Sequence, residues 1–527
     1  MGWQALRAER SLDLLLLIGT LILPLVSAIP LMLLGFQPND YTPMGILRIA
    51  IAALVFGGIG AALGVWWFGK RWIFFGLVFF LPIIVLFTTF FTQPGMLGSG
   101  FVGLYTYWFQ QHFEGRGGQP YFYYALIEIP MYEYLPALGT LVAALIATSR
   151  KLWRSAPGLP FNRADVEEGQ LQPVPVVGLT VFWSIFTLVI FSFAGEKMPW
   201  LTFHITLPMI LLGGWFVGYL FETADWETVR EHKGWLVLVL LPVFITGFSV
   251  SFSSLLGTKP PFQGQSLEQL SATSTFLTAL LAMIVSGYAI YRQAKKYPSG
   301  QTTRLFLITL IGGLVLLTAR TAFMASFVNY DRATEYLVYA HSGPGSKLAL
   351  EQIEDISRRS TGTLDIAVAY DNDTTYPFWW YLRNFPSAKY YGASPTRDLR
   401  DSPVILVGES NYAKIEPVVG QAYYKFQYTR IWWPDQDYYG LTWDRIWNAI
   451  KTPAWRDAIF RIWFYRDYSA YAQLTGKDMS LTNWQPSHSM RLYIRKDVAA
   501  TLWNYGTVPT QEELLADPYE GKGIDLS

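Results

Sequence analysis

The sequence is poor in the residues that build metal centres and redox sites. It contains no cysteine, which excludes disulfides, thiolate nucleophiles and Cys-ligated zinc or iron–sulfur centres. Its five histidines occur singly, so neither HExxH nor another histidine spacing typical of metal sites is present. The C-terminal part also lacks the glycine-rich motifs GxGxxG and GxxxxGK[ST]. We therefore expect no metal and no cofactor.

Charge is scarce as well. Charged residues make up 15% of the chain, against about 25% in an average soluble protein, and most of the first 326 residues are apolar. The net charge is only +1 and no run of Lys or Arg occurs, so a nucleic-acid partner is not expected. Since hydrophobic residues make up 52% of the chain, the composition predicts a protein embedded in membrane lipid.

Long apolar runs divide the chain into three parts. An apolar run of about 17–25 residues is long enough to cross a bilayer as a helix. Nine such runs lie near 12–35, 46–68, 73–91, 124–148, 176–194, 202–221, 235–255, 270–291 and 305–326. We predict an all-α polytopic transmembrane helix bundle over 1–326, a small extracytoplasmic α/β domain over 327–506, and a polar tail or linker over 507–527.

The basic residues of the short loops predict the orientation. They fall mainly on one side of the nine predicted spans, where the sequence has Arg7, Arg10, Lys70, Arg71, Arg150, Lys151, Arg154, Arg163, Arg230, Lys233, Arg292, Lys295, Lys296 and Arg304. The other side has Arg48, Arg116, Lys197 and Lys259. Because cytoplasmic loops carry the excess of Lys and Arg, we expect a cytoplasmic N-terminus and an exported C-terminal domain.

The exported part alternates strand and helix patterns. Short β-rich runs occur at Leu364–Tyr370, Val404–Gly408, Phe426–Trp432 and Met490–Arg495. Helical patterns lie at 345–359, 376–385, 441–450 and 453–465. This order predicts one small sheet with covering helices.

One loop between two spans combines an acid with a base. Its sequence is Gly195-Glu196-Lys197-Met198-Pro199-Trp200, and His204 follows in the next helix. Lys197 could hold a phosphate as a point charge, while Glu196 could pair with it or accept a proton. An interfacial turn is the alternative, in which Trp200 anchors the helix and the charged groups reach water.

A second polar group precedes and enters the fourth span. His112, Arg116 and Glu133 accompany a run of tyrosines that includes Tyr123. Sugar hydroxyls need such donors and acceptors, and sugar faces stack on aromatic rings; a belt of interfacial aromatic residues is the alternative. Glu128 lies about one turn inside this span and needs a polar partner, for which Arg320 is a candidate.

Asp40 is the only carboxylate in the first predicted outer loop. An Asp that follows Pro and Asn is typical of a turn or a helix cap, and catalysis is the less favoured interpretation. The catalytic residue is therefore unknown from the residues alone.

Several segments resemble one enzyme family. The stretch EKMPWLTFHITLPM from Glu196 to Met209, with Lys-x-Pro, an adjoining aromatic residue and a later Leu-Pro, resembles a pattern of family 39 membrane glycosyltransferases, the dolichyl-phosphate-mannose mannosyltransferase type. The chain is more closely similar to a flippase-activity-associated subgroup. The segments that carry this similarity are Thr88–Gly103, Arg116–Pro136, Tyr376–Pro386, Ile431–Trp443 and Met490–Trp503.

The resemblance implies a glycosyltransferase that takes its sugar from a polyprenyl phosphate at the outer face. It implies that Glu196, Lys197, Trp200, His204, His112, Arg116, Tyr123 and Glu133 bind this substrate. The family also has a catalytic acid in the outer loop of an N-terminal helix block, and no matching acidic loop is found in this sequence. The chain thus resembles the later half of the family, and a second chain could supply the acidic loop.

Two alternatives to an enzyme remain open. The first is a non-enzymatic flippase accessory, or lipid-carrier binder, that uses the same pocket without turnover. The second is a secondary transporter, which is disfavoured because no matched pair of interrupted half-helices and no central ionisable pair is visible in the sequence.

Overall fold

A computed structural model describes residues 10–103, 105–107, 110, 118–153, 175–257, 259–337 and 339–503. These residues form a helical N-terminal part and a C-terminal region with a β-sheet. The predicted tail at 507–527 lies outside the described residues. Contacts divide the chain into two compact units, one of 1–242 with 288–318 and one of 243–287 with 319–527.

The helices of the apolar part follow the predicted spans. Their bounds are α1 Arg10–Ile22, α2 Ala28–Leu33, α3 Pro43–Phe68, α4 Arg71–Phe87, α5 Ile129–Tyr132, α6 Tyr134–Arg150, α7 Val176–Phe193, α8 Thr202–Glu222, α9 Trp226–Glu231, α10 Trp235–Leu256, α11 Leu267–Ala294 and α12 Ser299–Phe323. Within the described ranges, six helices are long and apolar enough to cross a membrane, or up to eight if each of two bent pairs is one span. Helix α4 is a shorter apolar helix, so a count of nine spans stays a prediction.

Many large apolar side chains on these helices point away from the protein. Leu54 on α3 is 75% exposed and Leu316 on α12 is 74% exposed. Exposing such apolar side chains to water is unfavourable, whereas contact with lipid chains has no such cost. The helices therefore indicate a membrane-embedded protein.

Two of the predicted spans are bent. The first turns by 58° between Leu12–Ile22 and Leu25–Leu33, and the fourth turns by 106° between Tyr123–Tyr132 and Tyr134–Arg150. Pro24 and Pro130 lie in or beside these breaks, and proline removes a helical hydrogen bond. Each pair is thus a broken span or a re-entrant loop, which the length of the apolar run alone did not reveal.

Close packing of α6, α7 and α8 forms the core of the first unit. Ala143 and Ala147 of α6 are buried against Leu212 and Phe216 of α8. A Cβ added at Gly139 would lie 3.2 Å from the Cα of Gly213, so these glycines let two helix backbones approach closely. Helix α8 follows the loop that contains Glu196 and Lys197 after a short 3₁₀ turn, Pro199–Leu201.

The second unit contains a six-stranded mixed sheet. Its strands are β1 His341–Ser342, β2 Val368–Asp371, β3 Ala388–Gly392, β4 Val404–Gly408, β5 Tyr423–Trp432 and β6 Ser487–Arg495. The order is β1-β5-β6-β4-β2-β3, with β2 parallel to β3 and β4 and the other pairs antiparallel. The predicted sheet is confirmed, and the four predicted strands correspond to β2, β4, β5 and β6.

Helices cover both faces of this sheet. The helices of this part of the chain are α13 Pro344–Thr361, α14 Thr375–Tyr381, α15 Tyr412–Val419, α16 Trp443–Lys451, α17 Pro453–Tyr465, α18 Ser469–Thr475 and α19 Lys496–Trp503; α13, α14, α15 and α19 contact the strands. On β4, Val404 and Leu406 pack into a core with α13, whereas Ile405 and Val407 pack into a core with α15. All of β4 is buried because the sheet separates these two apolar cores.

Candidate functional site

The loop between α7 and α8 carries two buried charges. Glu196 is 7% exposed and Lys197 is 5% exposed, although they belong to a short connection between apolar helices. Pro199 opens a 3₁₀ turn that continues into α8 and fixes the end of the loop. A lysine and a glutamate in this position are held in the protein and do not extend into water.

Lys197 lies against an aromatic ring. Its Nζ is 4.9 Å from the centre of the Tyr121 ring, which gives a cation–π contact. Burial lowers the pKa of the Lys197 amino group. Among the residues that the structure describes, no acceptor forms a hydrogen bond or an ion pair with this nitrogen, and Glu196 beside it is not paired with it.

A π-helical turn at the start of the fourth span supports the loop. Tyr123–Glu128 form this turn. The π-helix is rare in proteins, but where it occurs it is often part of a functional site. Tyr124 donates a hydrogen bond from its hydroxyl to the carbonyl oxygen of Met198, at 3.1 Å. The turn and the loop are thereby joined next to Lys197.

Tyr123 and Glu128 are buried within the same turn. The Tyr123 hydroxyl donates a hydrogen bond to the Glu128 carboxylate, and the Tyr123 and Tyr124 rings lie 5.2 Å apart. Tyr123 thus provides a polar partner for Glu128, which needs one at this depth. Tyr121, Tyr123, Tyr124, Glu128, Glu196 and Lys197 are called the Lys197 site below.

Three of the other predicted binding residues, Trp200, His204 and Glu133, belong to the described part of the chain. Trp200 is 58% exposed, as a membrane-interface anchor would be. His204 is exposed on α8 and stacks on Phe191, with ring centres 5.8 Å apart. Glu133 is half-buried at the break between α5 and α6. His112 and Arg116 lie outside the described residues.

Asp40 occupies a turn. Its Oδ1 accepts a hydrogen bond from the backbone N–H of Thr42, at 3.0 Å. This bond lowers the pKa of the Asp40 carboxyl. Thr42 in turn caps α3 by accepting a hydrogen bond from the Gly45 N–H. The geometry is that of a turn and helix cap.

A polar network in the C-terminal domain was not anticipated from the sequence. Asp371 ends β2 and is fully buried, and its carboxylate accepts hydrogen bonds from Thr374, Gly408 and Asn411. Asp373 accepts from Ser410 and pairs with Arg430 at 2.7 Å. The signal in the sequence is the polar run Asp-Asn-Asp-Thr directly after a buried strand. All donors that face Asp371 are satisfied, so the network indicates a structural role.

An open pocket of about 530 Å³ lies near the start of β6. Asp435, Asp437, Lys477 and Asp478 line it together with amide side chains. Burial, followed by the negative charge of Asp437, raises the pKa of Asp435 to about 6. Lys477 pairs with Asp437, so the charged groups here are partly neutralised within the protein.

Comparisons with protein-family models, curated proteins and solved structures find no match to this chain. The arrangement of its own residues is therefore what bears on function.

Proposed function

We propose that this chain is a membrane glycosyltransferase-like protein of the family 39 type, which binds a polyprenyl-phosphate-linked sugar at the Lys197 site. The observation that carries the proposal is the buried Lys197 ammonium, which has no carboxylate partner among the described residues. Removing a cation from water without a counterion is unfavourable. A phosphate oxygen would provide the missing acceptor and the opposite charge.

The surroundings of Lys197 suit the rest of this ligand. Phe193, Trp200 and Phe203 are more than half exposed on the adjoining helix ends, where a polyprenyl chain could lie along them. Tyr121 offers an aromatic face, and Glu196 offers an acceptor for a sugar hydroxyl. In the same proposal, the sugar is bound by Glu133 together with His112 and Arg116, two residues that lie outside the described part of the chain.

The proposed reaction is an inverting displacement at the anomeric carbon. A carboxylate base takes the proton of the acceptor hydroxyl, the acceptor oxygen bonds to the anomeric carbon, and the bond to the phosphate oxygen breaks. Lys197 would stabilise the polyprenyl phosphate that leaves with the electron pair. Because Asp40 is held in a turn, we propose that a second chain or helix block supplies the base.

Replacing Lys197 tests the binding site. Lys197→Ala should weaken binding of a polyprenyl-phosphate sugar by roughly ten- to a hundredfold, which corresponds to a charge-assisted contact of about 1.5–3 kcal/mol. Lys197→Arg should retain more of the affinity because it keeps the positive charge. Binding to the detergent-solubilised chain is measured with a fluorescent short-chain analogue.

Lys259→Ala is the matched control for this experiment. Lys259 is exposed and paired with Glu268 at 2.7 Å, so its removal should leave the affinity unchanged. If Lys197→Ala binds the analogue as tightly as the native chain, the loop is only an interfacial anchor and the proposed site is wrong.

A non-enzymatic lipid-carrier binder is the second candidate, and the turn geometry of Asp40 favours it. We expect the purified chain to bind a lipid-linked sugar without transferring it, with turnover appearing when the acidic helix block is supplied. Transfer of radiolabelled sugar to an acceptor is the measurement. Failure to turn over with the block supplied would favour the binder. Transfer by the chain alone, abolished by Asp40→Asn with folding intact, would make Asp40 the base.

We propose nine spans, a cytoplasmic N-terminus and an extracytoplasmic C-terminal domain. Because the chain has no cysteine, single cysteines can report the orientation without background. Thr361→Cys and Ser299→Cys are suitable, since both positions are exposed, one on the C-terminal domain and one in a predicted cytoplasmic loop. An impermeant maleimide should label Thr361→Cys but not Ser299→Cys in intact cells. The reverse pattern would invert the topology.

A further inference from the structure

Helix α16 has an apolar face that the C-terminal domain leaves uncovered. Trp443, Ile446, Trp447 and Ile450 recur at the spacing i, i+3, i+4 and i+7, which places them along one side of the helix. No residue of α16 is buried; Trp443 is 83% exposed and Trp447 is 57% exposed. Asp444, Arg445 and Asn448 occupy the remaining surface. An apolar stripe with two tryptophans is thus left exposed.

The neighbouring helix α17 continues this apolar surface. It follows α16 after Thr452, packs against it, and exposes about half of the Phe460 side chain. Phe460 stacks on Phe464 with ring centres 5.6 Å apart. The two helices form a hairpin, called the α16–α17 hairpin below.

Contacts within the second unit connect α17 to the ends of two apolar helices. Arg456 in its first turn donates a hydrogen bond to the carbonyl oxygen of Leu256, the last residue of α10. Arg320 in the last turn of α12 donates to the carbonyl oxygen of Phe464 at 2.8 Å, and its guanidinium lies 3.9 Å from the centre of the Phe464 ring. Both α10 and α12 are long and apolar enough to span a membrane. The hairpin is thereby held at the level where these spans end.

We propose that the α16–α17 hairpin is an interfacial anchor, which inserts its apolar face into the bilayer surface beside the ends of α10 and α12. Amphipathic helices of this kind place Trp, Phe and Ile among the acyl chains and basic residues among the headgroups. Tryptophan is enriched at this depth, since its ring is apolar and its N–H can hydrogen-bond. Lys451 at the end of α16 lies 4.8 Å from the centre of the Trp447 ring and could reach lipid phosphates.

Lipid is the occupant that the contacts favour. A second protein would need the face to be accessible from water, whereas the two connections to α10 and α12 place it at the membrane boundary. The proposal concerns anchoring alone and does not depend on whether the Lys197 site binds a sugar phosphate.

Lipid quenching of a single attached fluorophore tests the proposal. The full chain is prepared as Trp447→Cys, Ile450→Cys and Asn448→Cys, each labelled with NBD and placed in nanodiscs with or without phospholipid that carries a doxyl group near the headgroup. Asn448 is the matched control, since it lies on the opposite side of the same helix. We expect quenching at 447 and 450 to exceed that at 448 by about twofold or more, because only the apolar face meets acyl chains.

Two outcomes would overturn the anchor. In the first, doxyl lipid quenches 447 and 450 no more than 448. In the second, NBD emission at 447 and 450 shifts to the blue without lipid quenching, which indicates that a protein covers the face. Size-exclusion profiles identify the folded variants. If Trp447→Cys does not fold, lipid quenching of NBD at Ile450→Cys still tests the anchor.

Discussion

Replacing Glu335 by glutamine is expected to destabilise the C-terminal domain by about 3–5 kcal/mol, the usual cost of removing one partner from a buried ion pair. Glu335 pairs with Arg466 at 2.9 Å, and the two side chains are 1% and 4% exposed. The substitution keeps the shape of the side chain but removes the Glu335 carboxylate charge that faces the buried guanidinium.

The surroundings of the pair explain why its loss cannot be relieved by solvent. Arg466 also donates to the carbonyl oxygens of Ile462 and Trp463, and Asn329 donates to Glu335 at 2.8 Å. Ala333 and Tyr468, each two positions from one member of the pair, belong to a buried core with Trp432 and Trp484. Turning the guanidinium towards water would break these contacts, so we expect it to stay buried when the carboxylate is removed.

Hydrogen exchange of the β4 amides in the full chain, held in nanodiscs, measures the change. Asp355→Asn is the matched control, since Asp355 pairs with Arg359 at the similar distance of 2.8 Å but both side chains are half exposed; it should cost at most about 0.5 kcal/mol.

A double variant separates the pair from its surroundings. Arg466 adopts a φ of 58°, so glycine can replace it without backbone strain. Glu335→Gln combined with Arg466→Gly should lose less stability than the two single variants together. Native stability in Glu335→Gln alone would show that the pair is not a stabilising contact.

Local patterns were sufficient to predict most of the fold. Apolar length predicted the helices of the N-terminal part, and alternation of strand and helix patterns predicted the C-terminal sheet, since both signals are contained in short stretches of sequence. Strands β1 and β3 were missed. The first has two residues, and the second, Ala-Lys-Tyr-Tyr-Gly, is an edge strand with little burial and no clear alternation.

The arrangement of the candidate site depended on contacts that no local pattern contains. Glu196 and Lys197 could be selected because an acid and a base are unusual between two apolar spans. Their burial could not be predicted, since it depends on a bent fourth span and on Tyr124, which contacts Met198 74 positions along the chain. The Glu335–Arg466 pair joins residues 131 positions apart and gave no signal in the sequence.

The second large effect is expected at Asp371, where asparagine should destabilise the C-terminal domain by roughly 3–5 kcal/mol. The Asp371 carboxylate is fully buried and receives donors on both oxygens. Oδ1 accepts from the backbone N–H and the hydroxyl of Thr374, each at 2.7 Å. Oδ2 accepts from the Gly408 N–H at 2.9 Å and from the Asn411 amide at 2.8 Å.

Asparagine has the same shape but replaces one acceptor oxygen with a donor NH₂. Whichever way the new amide turns, its NH₂ faces a backbone N–H, that of Thr374 or that of Gly408. The Thr374 hydroxyl can rotate and the Asn411 amide can flip, but the two backbone donors are fixed by the turn and by β4. The lost hydrogen bond to a charged acceptor costs about 1.5–3 kcal/mol, and the buried donor that is left unsatisfied costs about 1–3 kcal/mol.

Asp365→Asn is the control for this substitution, since Asp365 is exposed and accepts a hydrogen bond from the Thr363 hydroxyl at 2.9 Å. Losing this hydrogen bond should change stability by less than about 0.5 kcal/mol.

Hydrogen exchange of the Gly408 amide gives the most local measurement, because this N–H loses its acceptor only if the amide nitrogen turns towards β4. Faster exchange at Gly408 with little change at Thr374 would assign the NH₂ to that side. Unchanged protection at both amides, with native thermal stability, would mean that the carboxylate charge contributes nothing to the network.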